Sequence, residues 1–195
     1  MRLRRLCVFC GSYLGRRPAY RAATEKLGAL LAEGGIELVY GGGNIGLMNV
    51  LADGVLARGG RVIGVIPDFM MAREVGHSGL TDLRIVGSMH ERKAVMSDLS
   101  DGFIALPGGF GTLEEFCEVV TWSQLGLQSK PCGLLNVEGY YAPLLELFDG
   151  AVREGFLREE NRRLVLDDED PARLLDKMAK FEARSAEKLI ERDET

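Results

Sequence analysis

Three short apolar runs in this chain each end in a tight group of small residues and then give way to a helical pattern. Residues 6–10 run into Gly11 and Ser12, residues 36–40 into Gly41, Gly42 and Gly43, and residues 102–106 into Pro107, Gly108 and Gly109. A strand that stops at glycine and turns directly into a helix is the repeating unit of parallel α/β sheets. The chain holds 25 glycines in 195 residues, well above the usual share of about 7%. They gather at the ends of apolar runs, where a parallel sheet places its binding loops, and are not spread as in a flexible linker.

The remaining pattern extends the same alternation. Helical periodicity covers 18–33, with Pro18 near its start, and 45–58; a strand over 61–66 is stopped by Pro67. A short run over 83–86 precedes a helix through His90 and Met96, and a helix is predicted over 112–125. A strand over 131–137, a helix over 140–154, an edge strand over 163–166 and a charged helix from Pro171 complete the chain. Continuous apolar strands alternating with amphipathic helices predict a Rossmann-like, doubly wound, mostly parallel sheet with helices on both faces. The reading is one nucleotide-binding domain over 1–166 followed by an acidic helical extension over 167–195. Ligands of such sheets bind at the carboxyl ends of the strands, where all three glycine turns fall.

Charge and cysteine content narrow the function classes. The net charge is −5, and residues 167–195 carry ten acidic and six basic residues, so 1–166 are close to neutral. A near-neutral domain offers no basic face for a phosphate backbone, so nucleic acid is not expected as a partner. The apolar runs fall far short of the ~20 residues of a membrane span. The N-terminus reads as a strand entering a glycine turn, not as a signal peptide, and a cytoplasmic protein is expected. Cys7 and Cys10 form a C-x-x-C, but three positions apart on a strand they point to opposite faces. With only His77 and His90 as histidines, a metal centre is not expected, and buried apolar thiols are the favoured reading.

The stretch from Pro107 through Gly108, Gly109, Phe110, Gly111, Thr112, Leu113 and Glu114 to Glu115 is the strongest local signal. Unpaired amides and the positive dipole end at a helix start form an anion site, and glycine lets the backbone approach phosphate oxygens. A purely structural alternative exists, because Thr112 and Glu115 fit a T-x-x-E capping box. The three preceding glycines favour phosphate, since a plain helix cap does not need them. Residues 41–46 match G-x-G-x-x-G between a strand and a helix, so a nicotinamide-dependent enzyme is a competing class. Asp68 stands near the distance of a ribose-binding acid, but Pro67 precedes it and the loop follows the second strand instead of the first. Arg92 and Lys93, in Met89–Lys93, supply donors for phosphate or carboxylate; alone, such a stretch is more often a solvated helix face.

Together these motifs resemble the LONELY GUY family of cytokinin riboside 5′-monophosphate phosphoribohydrolases, often mislabelled lysine decarboxylases. The resemblance rests on Gly11-Ser12, YGGGNIGLM at 40–48, VIGVIP at 62–67, Arg73-Glu74, MHERK at 89–93 and LPGGFGTLEE at 106–115, and continues through 121–141. It implies hydrolysis of the N-glycosidic bond of cytokinin riboside 5′-monophosphates or AMP, giving free base and ribose 5-phosphate. It places the catalytic pair on Arg92 and Glu115 and puts Glu74, Lys93 and Thr121 at the substrate. Gly109, Gly111 and Thr112 would hold the phosphate, with Gly108, Gly11, Ser12, Gly42, Gly43 and Met48 also expected to bind the substrate. No cofactor is implied. A pyridoxal-phosphate decarboxylase would need a Schiff-base lysine and a pyridine-nitrogen partner, which nothing in the sequence suggests.

The chemistry fits these residue types independently. Cleaving a ribosyl C–N bond builds positive charge on the sugar, and a carboxylate beside it stabilises that charge or activates water. Arg92 has two open roles, gripping phosphate or orienting Glu115. Three positions depart from the family's usual residues: Asn49 for Gly, Ala72 for Pro, and Ser88 for Asp. A non-catalytic nucleotide or molybdenum-cofactor carrier on the same fold is the alternative function. A homodimer is expected, because Phe116, Val119, Val120, Trp122 and Leu125 give the 112–125 helix more apolar surface than one sheet contact requires.

Overall fold

The structure, a computed structural model, describes residues 3–71, 76, 77 and 79–182. Seven parallel strands form one sheet: β1 (Arg5–Phe9), β2 (Glu37–Tyr40), β3 (Val62–Pro67), β4 (Asp82–Val86), β5 (Gly102–Ala105), β6 (Cys132–Leu135) and β7 (Val165–Asp168). Their order is β4-β3-β2-β1-β5-β6-β7. The chain first winds outward from β1 to β4, then returns to the other side of β1 and winds out to β7. The order therefore reverses between β1 and β5, and their carboxyl ends diverge into a crevice.

Alternation along each strand divides the core in two. Leu6 and Val8 of β1, Leu38 and Tyr40 of β2, and Ile104 of β5 face one side. That side is covered by α1 (Pro18–Glu33), α2 (Gly46–Leu56) and α8 (Pro171–Ala179). Cys7 and Phe9, Val39, Phe103 and Ala105 face the other. It is covered by α4 (Met89–Asp98), α5 (Phe110–Gln124) and α6 (Ala142–Arg153). Both faces are covered by helices, which is why the strands read as unbroken apolar runs. Leu27 and Leu31 of α1 are fully buried, each worth about 1.5–3 kcal/mol. Leu174 and Met178 of α8 join the same core, so the acidic segment beyond Asp167 supplies apolar packing as well as charge.

Element ends differ from the sequence pattern in instructive places. Pro67 closes β3 as its last residue, where its missing N–H falls at the strand end. The edge strand begins at Val165, not 163, because a short helix α7 (Glu159–Arg162) takes up the preceding residues. A four-residue helix, α3 (Asp68–Met71), follows β3 directly. Helix α6 starts at Ala142, which leaves Tyr140 and Tyr141 in the turn after β6.

Candidate active site

β2, β1 and β5 are neighbours, so the three glycine turns that follow them meet at one edge of the sheet. They surround a cavity of about 600 Å³ whose wall includes Gly11, Ser12, Gly41, Gly108, Gly109, Gly111 and Thr112. Met48, Met70, Met89 and Met96 also line it, as do Arg92, Glu114, Glu115 and Tyr140. One part of the cavity is thus backbone amide and charge, and another is flexible thioether surface.

Helix α5 begins at Phe110, with Gly109 as its N-cap and no side-chain cap. This corrects the capping-box reading: Thr112 lies third and Glu115 sixth in the helix, too deep to cap it. Gly109 takes the extended conformation that a cap requires, so the helix starts two residues early and leaves its first amides to the cavity. The chain's real serine cap is Ser88, whose Oγ accepts from Glu91 N at 3.1 Å, while Glu91 Oε2 accepts from Gly87 N at 2.8 Å. That cap starts α4 one turn before Arg92.

Arg92 and Glu115 face each other from α4 and α5. Both are 8% exposed. Arg92 Nε donates to Val65 O at 3.1 Å and Nη2 to Gly41 O at 3.5 Å, while Nη1 stands 3.4 Å from Glu115 Oε1. The two charges attract, but the contact lacks hydrogen-bond geometry, and Oε1 is buried without a hydrogen-bond partner. Burial pushes Glu115 up to about 6, against the opposing pull of the Arg92 guanidinium. A carboxylate so placed is ionised at neutral pH yet poorly solvated, the condition for a strong local field or a proton acceptor.

The other candidate residues divide. Gly42 and Gly43 shape the loop behind the cavity wall: Gly42 takes φ +76, and Gly43 bridges to Gly76. Gly46, with φ +57, packs so tightly on the Ser12 backbone that a Cβ would come within 2.3 Å of Ser12 C. Lys93 is not itself part of the cavity wall; its ammonium is held by the wall residue Glu114 at 2.5 Å and by Glu118 at 3.0 Å. Burial opposes its charge, but the hydrogen bonds it donates to these two carboxylates outweigh that and hold its pKa above the ordinary lysine value. Thr121 is exposed on α5, its hydroxyl donating to Cys117 O at 2.7 Å. Glu74 lies outside the described residues.

Several wall residues were not assigned from sequence. Gly41 O accepts from Arg92 Nη2 at 3.5 Å, Cys10 lines the cavity at the end of β1, and Tyr140 donates to Gly108 O at 2.6 Å. Burial, then the Glu115 charge, pushes the Cys10 thiol well up, so it contributes as a neutral wall atom. Cys7 and Cys10 lie on opposite faces of the sheet, as their spacing predicts. Phe116 and Val119 are both consumed by the core, which corrects their assignment to a surplus helix face.

Comparison with known proteins is consistent with this geometry. A family model described as possible lysine decarboxylase matches residues 48–178. The chain is 54% identical over 165 residues to the cytokinin riboside 5′-monophosphate phosphoribohydrolase LOG of Oryza sativa subsp. japonica, covering 85% of this chain and 68% of that protein. It is 47% identical over 181 residues to the enzyme LOG7 of the same name from Arabidopsis thaliana, covering 93% of this chain and 83% of that protein. The molybdenum cofactor binding protein of Rippkaea orientalis superposes with a TM-score of 0.67 over 92% of this chain and 97% of that one, at 21% identity. At that identity the likeness is one of fold.

Proposed function

The chain belongs to the family of the cytokinin riboside 5′-monophosphate phosphoribohydrolases, and on that premise we propose that it hydrolyses the N-glycosidic bond of these nucleotides. The products are the free base and ribose 5-phosphate, and AMP is a substrate of the same reaction. The observation that carries this reading is the buried Arg92–Glu115 pair beside the glycine-led start of α5, within one cavity. Amides of residues 109–112 hold the 5′-phosphate, where the helix dipole favours an anion. Glu115, in the second turn of the same helix, then faces the ribose.

In the reaction, the oxygen of water bonds to C1′ and the C–N electron pair leaves with the base. Water supplies hydroxyl to the sugar and, in net, one proton to the departing base. Positive charge grows on the ribose as the bond breaks, and the Glu115 carboxylate stabilises it and orients the attacking water. Because two of its donor groups are committed to the Val65 and Gly41 carbonyls, Arg92 is suited to positioning Glu115 instead of gripping phosphate. The methionine-lined part of the cavity receives the base and accommodates an apolar substituent on it.

The assembly is a homodimer in the cytoplasm, where thiols such as the exposed Cys117 stay reduced. Incubation with AMP and with isopentenyladenosine monophosphate, followed by chromatography, tests the reading. Free base and ribose 5-phosphate are expected from both; their absence from both overturns it.

A further inference from the structure

Three successive carbonyls lead into the glycine amides of α5, and each is held from outside its own loop. Leu106 O accepts from the Tyr141 hydroxyl at 2.6 Å, Pro107 O from Gly11 N at 3.1 Å, and Gly108 O from the Tyr140 hydroxyl at 2.6 Å. Two of the three donors come from adjacent tyrosines in the turn after β6. That turn is itself braced. Asn136 Oδ1 accepts from Tyr141 N at 2.6 Å, and Arg17 Nη1 reaches Glu138 Oε2 at 3.3 Å. Glu138 has φ +49, the only positive value at a non-glycine among the described residues. A strained backbone of this kind persists where its surroundings over-determine it, and such positions gather at ligand sites.

We propose that Tyr140 is a positioning residue that presets the phosphate-binding Gly109 amide by anchoring the Gly108 carbonyl, while Tyr141 supports the Tyr140 ring and holds the Leu106 carbonyl at the strand end. A trans peptide is a rigid plane with C=O and N–H on opposite edges. Fixing Gly108 O therefore fixes the direction of Gly109 N–H. Glycine on both sides of that peptide leaves its rotation nearly unhindered, so the loop's own covalent structure does not hold it. The Tyr140 hydroxyl supplies the missing restraint, and its ring is held edge-on by Tyr20 and Tyr141 with centroids 5.7 and 5.0 Å away. Anion sites gain affinity when their donors are oriented before the ligand arrives.

This inference rests on the phosphate being held at 109–112, and the test separates the two. Ribose 5-phosphate is titrated calorimetrically into the wild type and into Tyr140→Phe, which keeps the ring contacts. Loss of one hydrogen bond that fixes the loop should weaken binding about five- to tenfold. KM for AMP should rise by a similar factor while kcat stays within about twofold, because Glu115 and Arg92 are untouched. Tyr141→Phe is the control. It should lower the melting temperature, since Leu106 is fully buried and its carbonyl has no access to water. It should keep ribose 5-phosphate binding within about twofold of the wild type, because the Leu106 carbonyl shares its peptide with Pro107 and orients no amide. Unchanged ribose 5-phosphate binding in Tyr140→Phe, or a kcat that falls as far as KM rises, overturns the inference. A wild type that does not bind ribose 5-phosphate overturns the phosphate assignment and the inference together.

Discussion

Gly41 lies where a side chain would displace Arg92: a Cβ built there comes within 2.0 Å of Nη2. The colliding atom is the far end of a flexible side chain, so the backbone can accept alanine while the guanidinium cannot stay. Gly41→Ala should therefore fold, with a melting temperature within a few degrees of the wild type. It should lose about tenfold or more in kcat, as Glu115 loses its positioning partner. Adding Arg92→Ala to Gly41→Ala should cost little more, because both act through one interaction. Full additivity of the two losses would show that Gly41 acts elsewhere.

Glu115→Gln should retain the fold and bind AMP but lose about 10²-fold or more in turnover. The amide keeps the shape and removes the charge that faces the ribose in the transition state. Because Glu115 is not a cap, the helix start loses nothing. Wild-type turnover by Glu115→Gln would remove this residue from the mechanism.

The same substitution carries a signature in stability against pH. Burial raises Glu115 to about 6 from an ordinary 4.5, so the folded state holds its proton more tightly than the unfolded one. The stability this provides is fully present below about 4.5 and is lost as pH rises through 6. At neutral pH the ionised carboxylate then lowers stability by about 2 kcal/mol relative to acid, at 1.36 kcal/mol per pKa unit. Glutamine does not titrate. In urea unfolding, Glu115→Gln should gain on the wild type between pH 4.5 and 6 and hold that gain above it. A difference independent of pH would contradict the raised value.

A homodimer is expected from what the core leaves uncovered. After Phe116 and Val119 are packed, Leu125 remains 52% and Leu127 71% exposed at the end of α5, with Leu147 of α6 at 65%. Light scattering at micromolar concentration should give twice the 21.4 kDa chain mass. A monomer mass would leave these side chains without their proposed cover.

The core was more legible than the site. Helix α1 has its predicted limits, and the strand alternation that divides Cys7 from Val8 follows from period two alone. Helix α5 begins two residues before the expected 112, because the T-x-x-E pattern is a visible local signal while a glycine cap has no side chain to announce it. Arg92 and Glu115 were identifiable as charged residues beside glycine motifs, but not their separation or their burial. Tyr140 left no local signal, because its partner Gly108 is 32 residues away in sequence.

What the sequence determined by itself are the features with short range. Glycine turns, apolar runs and helical periodicity act within a few residues, and they specify a parallel sheet with its binding loops at one edge. Tertiary structure decided which of those loops meet, because strand order brings β2, β1 and β5 together and leaves β4 and β7 at the edges. It also decided which charges work together. Lys93 follows Arg92 directly, yet neighbours on a helix diverge by about 100°. Arg92 therefore turns inward to Val65, Gly41 and Glu115, while Lys93 is taken by Glu114 and Glu118. Burial, and with it the raised affinity of Glu115 for its proton, exists only once α4, α5 and the sheet enclose the pair.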